Sequence, residues 1–130
     1  MRRKILVVED ESSIRNVIYL LLGALKCDGD VAYSGQQALS MLARESFDAV
    51  LLDLRSSDLP PEQVVHEMSE IRPSLVGRIL VITGELSDRR TMDLIEQNCL
   101  SCVRRAHLVH DLWDRLRVLF GPAESAHTAR

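Results

Sequence analysis

Glu9 and Asp10 follow directly on the apolar run 5–8, Asp53 follows the run 49–52, and Thr83 closes the run 79–83. Each of these groups stands at the end of a continuous stretch of branched or aliphatic residues. Carboxylates brought together repel one another, and a divalent hard cation bound through oxygens, for which Mg²⁺ is the usual choice, relieves that repulsion. With its charge neutralised, Asp53 becomes a nucleophile toward phosphorus, while the metal and a nearby basic side chain offset charge on the transferring phosphoryl oxygens. Any one of these acids alone reads more readily as a cap on a strand end or helix start. Their joint position at three strand ends carries the argument.

The acids meet only in a fold in which the three runs lie side by side. Runs 4–8, 49–52 and 79–83 are continuous rather than alternating, as strands buried on both faces are. Segments 30–33 and 100–104 are weaker strands, and helical periodicity fills the gaps at 13–25, 36–44, 62–71, 88–97 and 108–120. Five alternations of strand and helix predict a doubly wound α/β domain, a five-stranded parallel sheet flanked by five helices. In such sheets reactive groups collect beyond the carboxyl ends of the strands, where neighbouring connections diverge. The chain has 130 residues, 46% of them hydrophobic, enough for one domain and one core, expected over residues 1–121. Residues 122–130, with Pro122 and no periodicity, read as a flexible tail.

Composition narrows the function classes. A formal charge of -3 with no long Lys/Arg run removes the footprint of a nucleic-acid or anionic-membrane binder and points to protein partners. No apolar run approaches the roughly 20 residues of a membrane helix. Cys27, Cys99 and Cys102 form an odd, sparse set with no leader before the first core run, which predicts a reducing cytoplasm.

Lys4-Ile5-Leu6-Val7-Val8-Glu9-Asp10-Glu11 and Ala49-Val50-Leu51-Leu52-Asp53-Leu54 resemble the opening and third strands of response-regulator receiver domains, the CheY-like superfamily with a flavodoxin-like fold. Ser34-Gly35-Gln36-Gln37-Ala38-Leu39 is similar to that family's start of the second helix, and Ile82-Thr83-Gly84 to its fourth-strand switch. The resemblance covers residues 4–120. It implies that Asp53 is the phosphoacceptor and that Glu9, Asp10, Asp53 and the backbone carbonyl of Arg55 hold Mg²⁺. It also implies that Thr83 grips the phosphoryl group, with Gly84 opening the loop that moves. The implied partners are a histidine kinase or histidine phosphotransfer protein, a downstream protein target, and a second copy through the last helices. Activity would be limited to Mg²⁺-dependent self-phosphorylation and self-dephosphorylation.

The sequence departs from the family in places that bear on the mechanism. Aligning back from Leu112 puts Arg105 and Ala106 where the family usually has a Lys-Pro pair. Arginine keeps the charge but is longer, planar and forked. A cis peptide before Ala106 would cost ~2.5–4 kcal/mol where proline needs ~0.5–1, so a trans peptide is expected, with Arg105 reaching the phosphoryl site only in part or sharing the task with Arg104. Cys102 stands where an aromatic residue is common on the fifth strand, which excludes a rotating ring there. Ser57 and Pro61 replace a usual proline and glycine, and Pro60-Pro61 sets a stiff start to the third helix. Arg55 and Glu85 are expected to flank the acceptor pocket, either paired across its mouth or as two solvated charges.

Other signals carry less. Cys99-Leu100-Ser101-Cys102 has CxxC spacing, but with one cysteine on a buried strand and no second pair, core packing is the reading. His107 and His110 receive no ligand role. Trp113 lies at the edge of the stripe formed by Leu112, Leu116 and Leu119, facing either a partner or its own helix edge, and with Arg89 and Arg90 it is assigned to a partner surface. Three functions remain: a phosphorylated switch, either stand-alone or part of a hybrid kinase or relay; a phosphorylation-independent interaction module; and a phosphohydrolase. Arg55 argues against the last, since such enzymes commonly carry a second acid two residues after the nucleophile.

Overall fold

The computed structural model describes residues 2–56, 58–84 and 88–120; Ser57, Glu85 and the segment 122–130 lie outside the described residues. Within them, five strands alternate with five helices: β1 (Arg3–Val8), α1 (Ser12–Ala24), β2 (Cys27–Ala32), α2 (Gly35–Arg44), β3 (Ala49–Asp53), α3 (Pro61–Ile71), β4 (Ile79–Thr83), α4 (Arg89–Gln97), β5 (Ser101–Arg104) and α5 (Leu108–Phe120). All strand pairs are parallel, in the order β2-β1-β3-β4-β5. The chain runs outward from β1 to β2, then returns to place β3 on the other side of β1. The switch in direction therefore falls between β1 and β3, where a doubly wound sheet opens its crevice.

The continuous apolar runs supply both faces at once. Leu6, Val8, Val50, Leu52, Ile79 and Val81 pack under α2, α3 and α4, against Ala38, Leu42, Val64, Met68 and Leu94. Their alternates Ile5, Val7, Leu51, Leu80 and Ile82 pack under α1 and α5, against Ile18, Leu22, Leu108, Leu112 and Leu116. Leu51 is fully buried in the second layer. Leu51→Ala is expected to cost about 3 kcal/mol, because the strand backbone on either side cannot close the cavity. Urea unfolding checks this as a lowered midpoint with unchanged slope.

The second strand starts earlier than the sequence predicts, at Cys27 rather than residue 30. Its polar first half is held by backbone pairing with β1, from Arg3↔Cys27 onward, on a sheet edge where charged side chains stay wet. Arg2 pairs with Asp28 at 2.8 Å and Lys4 lies 3.8 Å from Asp30. Gly29 has a packing reason, since a Cβ there would lie 3.0 Å from Leu22 Cδ1 of α1.

Helix starts follow their caps. Ser34 Oγ accepts from the Gln37 amide and Asp88 Oδ1 from the Thr91 amide, while Pro61 takes the first turn of α3, where its missing N–H costs nothing. A further cap on α2 comes from a distant loop: Asp58 Oδ1 accepts from the amides of Gly35 at 2.7 Å and Gln36 at 3.3 Å. Cys99 has φ 53° in the turn between α4 and β5 and is exposed, so the CxxC spacing spans a turn and only Cys102, half-buried, packs against the core. Core packing therefore does not account for Cys99.

Candidate functional site

Strand register places the site. Val8 is opposite Leu52, so the next residues, Glu9 and Asp53, come side by side. Asp53 is opposite Ile82 and Thr83 opposite Arg104, so Thr83 and Arg105 each lie one step beyond the strand before. Glu9, Asp53 and Thr83 are 1%, 0% and 4% exposed, and such burial of polar groups makes sense only with partners or a ligand.

Asp53 Oδ1 accepts from the Arg55 amide at 2.9 Å and from Arg105 Nη2 at 2.7 Å. Oδ2 has no hydrogen-bond partner, and neither do Glu9 Oε1, Thr83 Oγ1 or Arg105 Nε. Arg105 therefore reaches the acid directly, against the expectation of partial reach or help from Arg104, which ends β5 exposed. The reason is local. Residues 105–107 form a 3₁₀ turn that carries the arginine over the sheet edge, and Gly84 leaves room: a Cβ at 84 would stand 3.3 Å from Arg105 Nη1. The Arg105–Ala106 peptide is trans, as the missing proline predicts.

The three acids are not equivalent. Glu9 and Asp53 are in contact, and the Glu9 carboxyl is pushed up to about 7 by burial first, then by the Asp53 carboxylate beside it. The Glu11 amide, at 3.2 Å, and Ser56 work in the opposite direction. Asp10 is exposed and turns toward Ser56, whose Oγ stands 2.9 Å from Asp10 Oδ1 and 3.0 Å from Glu9 Oε2. Among the described residues no three carboxylates converge on one point, so the cluster is a contacting pair with Asp10 linked to it through a serine. Position alone gives no signal for Ser56, because a serine after a strand reads first as a turn residue.

Arg55 flanks the acceptor, its Nε 4.0 Å from Asp53 Oδ1 and its Nη2 3.7 Å from Glu11 Oε1, while Glu85 lies outside the described residues. A cleft of about 510 Å³ opens between α3 and α4 beside the site, lined among others by Thr83, Gly84, Arg105, Thr91, Glu62 and Arg90. Glu62 and Arg90 meet across it, with Arg90 Nε 2.9 Å from Glu62 Oε1. Arg90 makes this contact while its side chain stays 78% exposed. Arg89 stays exposed, and Trp113 is 53% exposed with the Arg117 guanidinium 4.9 Å from its ring centre. His107 and His110 are exposed, with His107 Nδ1 3.9 Å from Asp111.

A parallel five-stranded sheet whose carboxyl edge gathers a buried aspartate, a second acid, a hydroxyl and a basic side chain defines a receiver domain. The chain belongs to the response regulator receiver domain family, whose profile matches residues 5–117. It is 33% identical over 85 residues to the response regulator protein PilR of Pseudomonas aeruginosa, covering 65% of this chain and 19% of that protein. It is 29% identical over 125 residues to the transcriptional regulatory protein ZraR of Salmonella typhimurium, covering 95% of this chain and 26% of that protein. A putative response regulator from Chloroflexus aurantiacus shares the fold at TM-score 0.73 and 16% identity, over 90% of this chain and 99% of the other. The chain thus spans about a fifth to a quarter of the length of these two curated relatives. Receiver domains generally bind Mg²⁺ for phosphorylation and interact with histidine kinases and effector targets. Among the described residues no helix is long and apolar enough to cross a membrane.

Proposed function

We propose that this receiver domain accepts a phosphoryl group on Asp53 from a histidine kinase or histidine phosphotransfer protein and changes its protein contacts while charged. The observation that carries this reading is the half-satisfied carboxylate: Asp53 is fully buried, Oδ1 is fixed by two donors, and Oδ2 is unpaired. A buried carboxylate with a free oxygen beside an unpaired hydroxyl is costly unless something binds there. Oxygen donors suit a hard divalent cation, and the unpaired Glu9 Oε1 and Asp53 Oδ2 fit one. Asp53, the Arg55 carbonyl, and Glu9 and Asp10 either directly or through water would hold Mg²⁺, which when bound would supply positive charge against the phosphoryl oxygens.

The chain's own residues do the rest. The bond from Asp53 to phosphorus forms as the phosphorus–nitrogen bond of the donor histidine breaks, the electron pair staying on the imidazole nitrogen. Arg105 presents its remaining N–H groups, and the Thr83 hydroxyl donates to a phosphoryl oxygen, so both groups without partners gain them in the phosphorylated state. Inward movement of Thr83 draws on Gly84 and the start of α4. No ring on β5 turns with it, because Cys102 stands there, and output passes through the β4–α4 side. Domain limits of 1–121, a cytoplasmic location and contact through Trp113, Arg89 and Arg90 belong to the same reading.

Intact mass after incubation with acetyl phosphate and Mg²⁺ tests it. One phosphoryl adduct is expected, absent in Asp53→Asn and absent without metal. A phosphorylation-independent interaction module is the second reading, favoured by the guanidinium already seated on Asp53 and by Cys102 on β5. It predicts no adduct with any donor and partner binding indifferent to phosphodonor.

A further inference from the structure

Ser56 is the group at the site that the family resemblance leaves without a role. It closes the 3₁₀ turn 54–56 directly after Asp53 and is 5% exposed. Its hydroxyl stands within hydrogen-bond distance of two different carboxylates, Glu9 Oε2 at 3.0 Å and Asp10 Oδ1 at 2.9 Å, and accepts from the Asp10 amide at 3.2 Å. A hydroxyl has one proton and cannot serve two ionised carboxylates. With both acids ionised, as a bound cation requires, one of the two oxygens faces a lone pair, an arrangement that a cation between the acids relieves. The unpaired Glu9 Oε1 and Asp53 Oδ2, both on residues at most 1% exposed, lie on the neighbouring edge of the same cluster.

We infer that Ser56 is a positioning residue for the divalent cation: it fixes the Glu9 and Asp10 carboxylates relative to each other from behind. This rests on the proposed Mg²⁺ site. Asp10 is exposed, and its side-chain contact with Ser56 is what turns it toward the cluster. Without the hydroxyl its carboxylate is a free surface group. Outer hydrogen bonds of this kind typically govern metal affinity by about 10–100-fold. Mg²⁺ demands near-ideal octahedral placement of its oxygens, whereas Ca²⁺ accepts a looser, larger set, so losing the positioning contact falls mainly on Mg²⁺.

Calorimetric titration of Mg²⁺ and of Ca²⁺ into the wild-type chain and Ser56→Ala tests the inference. Expected is about tenfold weaker Mg²⁺ binding in the variant, with Ca²⁺ affinity changed by less than about threefold. Mg²⁺ affinity within about twofold of wild type overturns the inference while leaving the site itself standing. Equal losses for both ions overturn it too, since that is a general disturbance of the cluster. A wild-type chain that binds no Mg²⁺ overturns the metal site itself, and the inference with it, a result separate from the other two.

Discussion

Arg105→Ala is expected to destabilise the metal-free protein by about 3 kcal/mol, the cost of leaving one partner of a buried ion pair uncompensated. The guanidinium is 15% exposed and the carboxylate it holds at 2.7 Å is fully buried, with Glu9 pressed against it. Removing the guanidinium leaves Asp53, among the described residues, with only the more distant, exposed Arg55, whose Nε stands 4.0 Å from Oδ1. Mg²⁺ should restore part of the loss, so the gap between variant and wild type in urea unfolding is larger in chelator than in millimolar Mg²⁺. The same variant should slow phosphorylation by acetyl phosphate about 100-fold, the usual effect of deleting one preorganised donor to developing oxyanion charge. Arg105→Lys keeps the charge but not the fork, and is expected to fall between the two. An Arg105→Ala protein as stable in chelator as wild type would show that the ion pair contributes nothing to the resting fold.

Glu9→Gln should act in the opposite direction on stability. In the folded state the carboxyl of Glu9 is pushed up from 4.5 to about 7, so the native chain binds a proton that the unfolded chain has released. A raised value of this kind gives a contribution present in full below the ordinary carboxylate range and lost as pH rises through about 7. Metal-free wild type is therefore expected to lose up to about 3 kcal/mol between pH 4.5 and 8 from this group alone. Glutamine is neutral throughout, so the variant should lack that slope and be the more stable protein at pH 8. It should also bind Mg²⁺ far more weakly. Where Mg²⁺ is present, wild-type stability should recover above pH 7, because the ionised form is the one that binds. Unfolding curves at several pH values, with and without metal, separate these effects.

Much of this arrangement is legible in the sequence, and the reasons are physical. Strands β1, β3 and β4 are central and covered on both faces, so their residues must be apolar without interruption, and the acids that end the runs stand out. Strand β2 lies on an edge, is held by its backbone, and so begins with Cys27-Asp28-Gly29, which does not read as strand. Arg105 is recognisable as the basic group by alignment, but its reach depends on the 3₁₀ turn 105–107 and on the space at Gly84, neither of which has a signature in residue types. Ser56 is hidden because serine suits any turn. Arg90 reads as a surface cation, and its side chain does stay exposed. Its pairing with Glu62 exists because α3 and α4 approach across a cleft, and helix approach is a property of packing rather than of either sequence segment.

The cap that Asp58 places on α2 has a consequence for observing the protein at work. Asp58 is five positions after Asp53 in the chain, yet its carboxylate holds the first two amides of a helix on the other side of β1. A shift of the loop behind the acceptor that moves Asp58 is expected to lengthen those two bonds. The amide resonances and exchange rates of Gly35 and Gln36 thereby become a built-in gauge of the acceptor loop, readable without a label, a partner or a substitution.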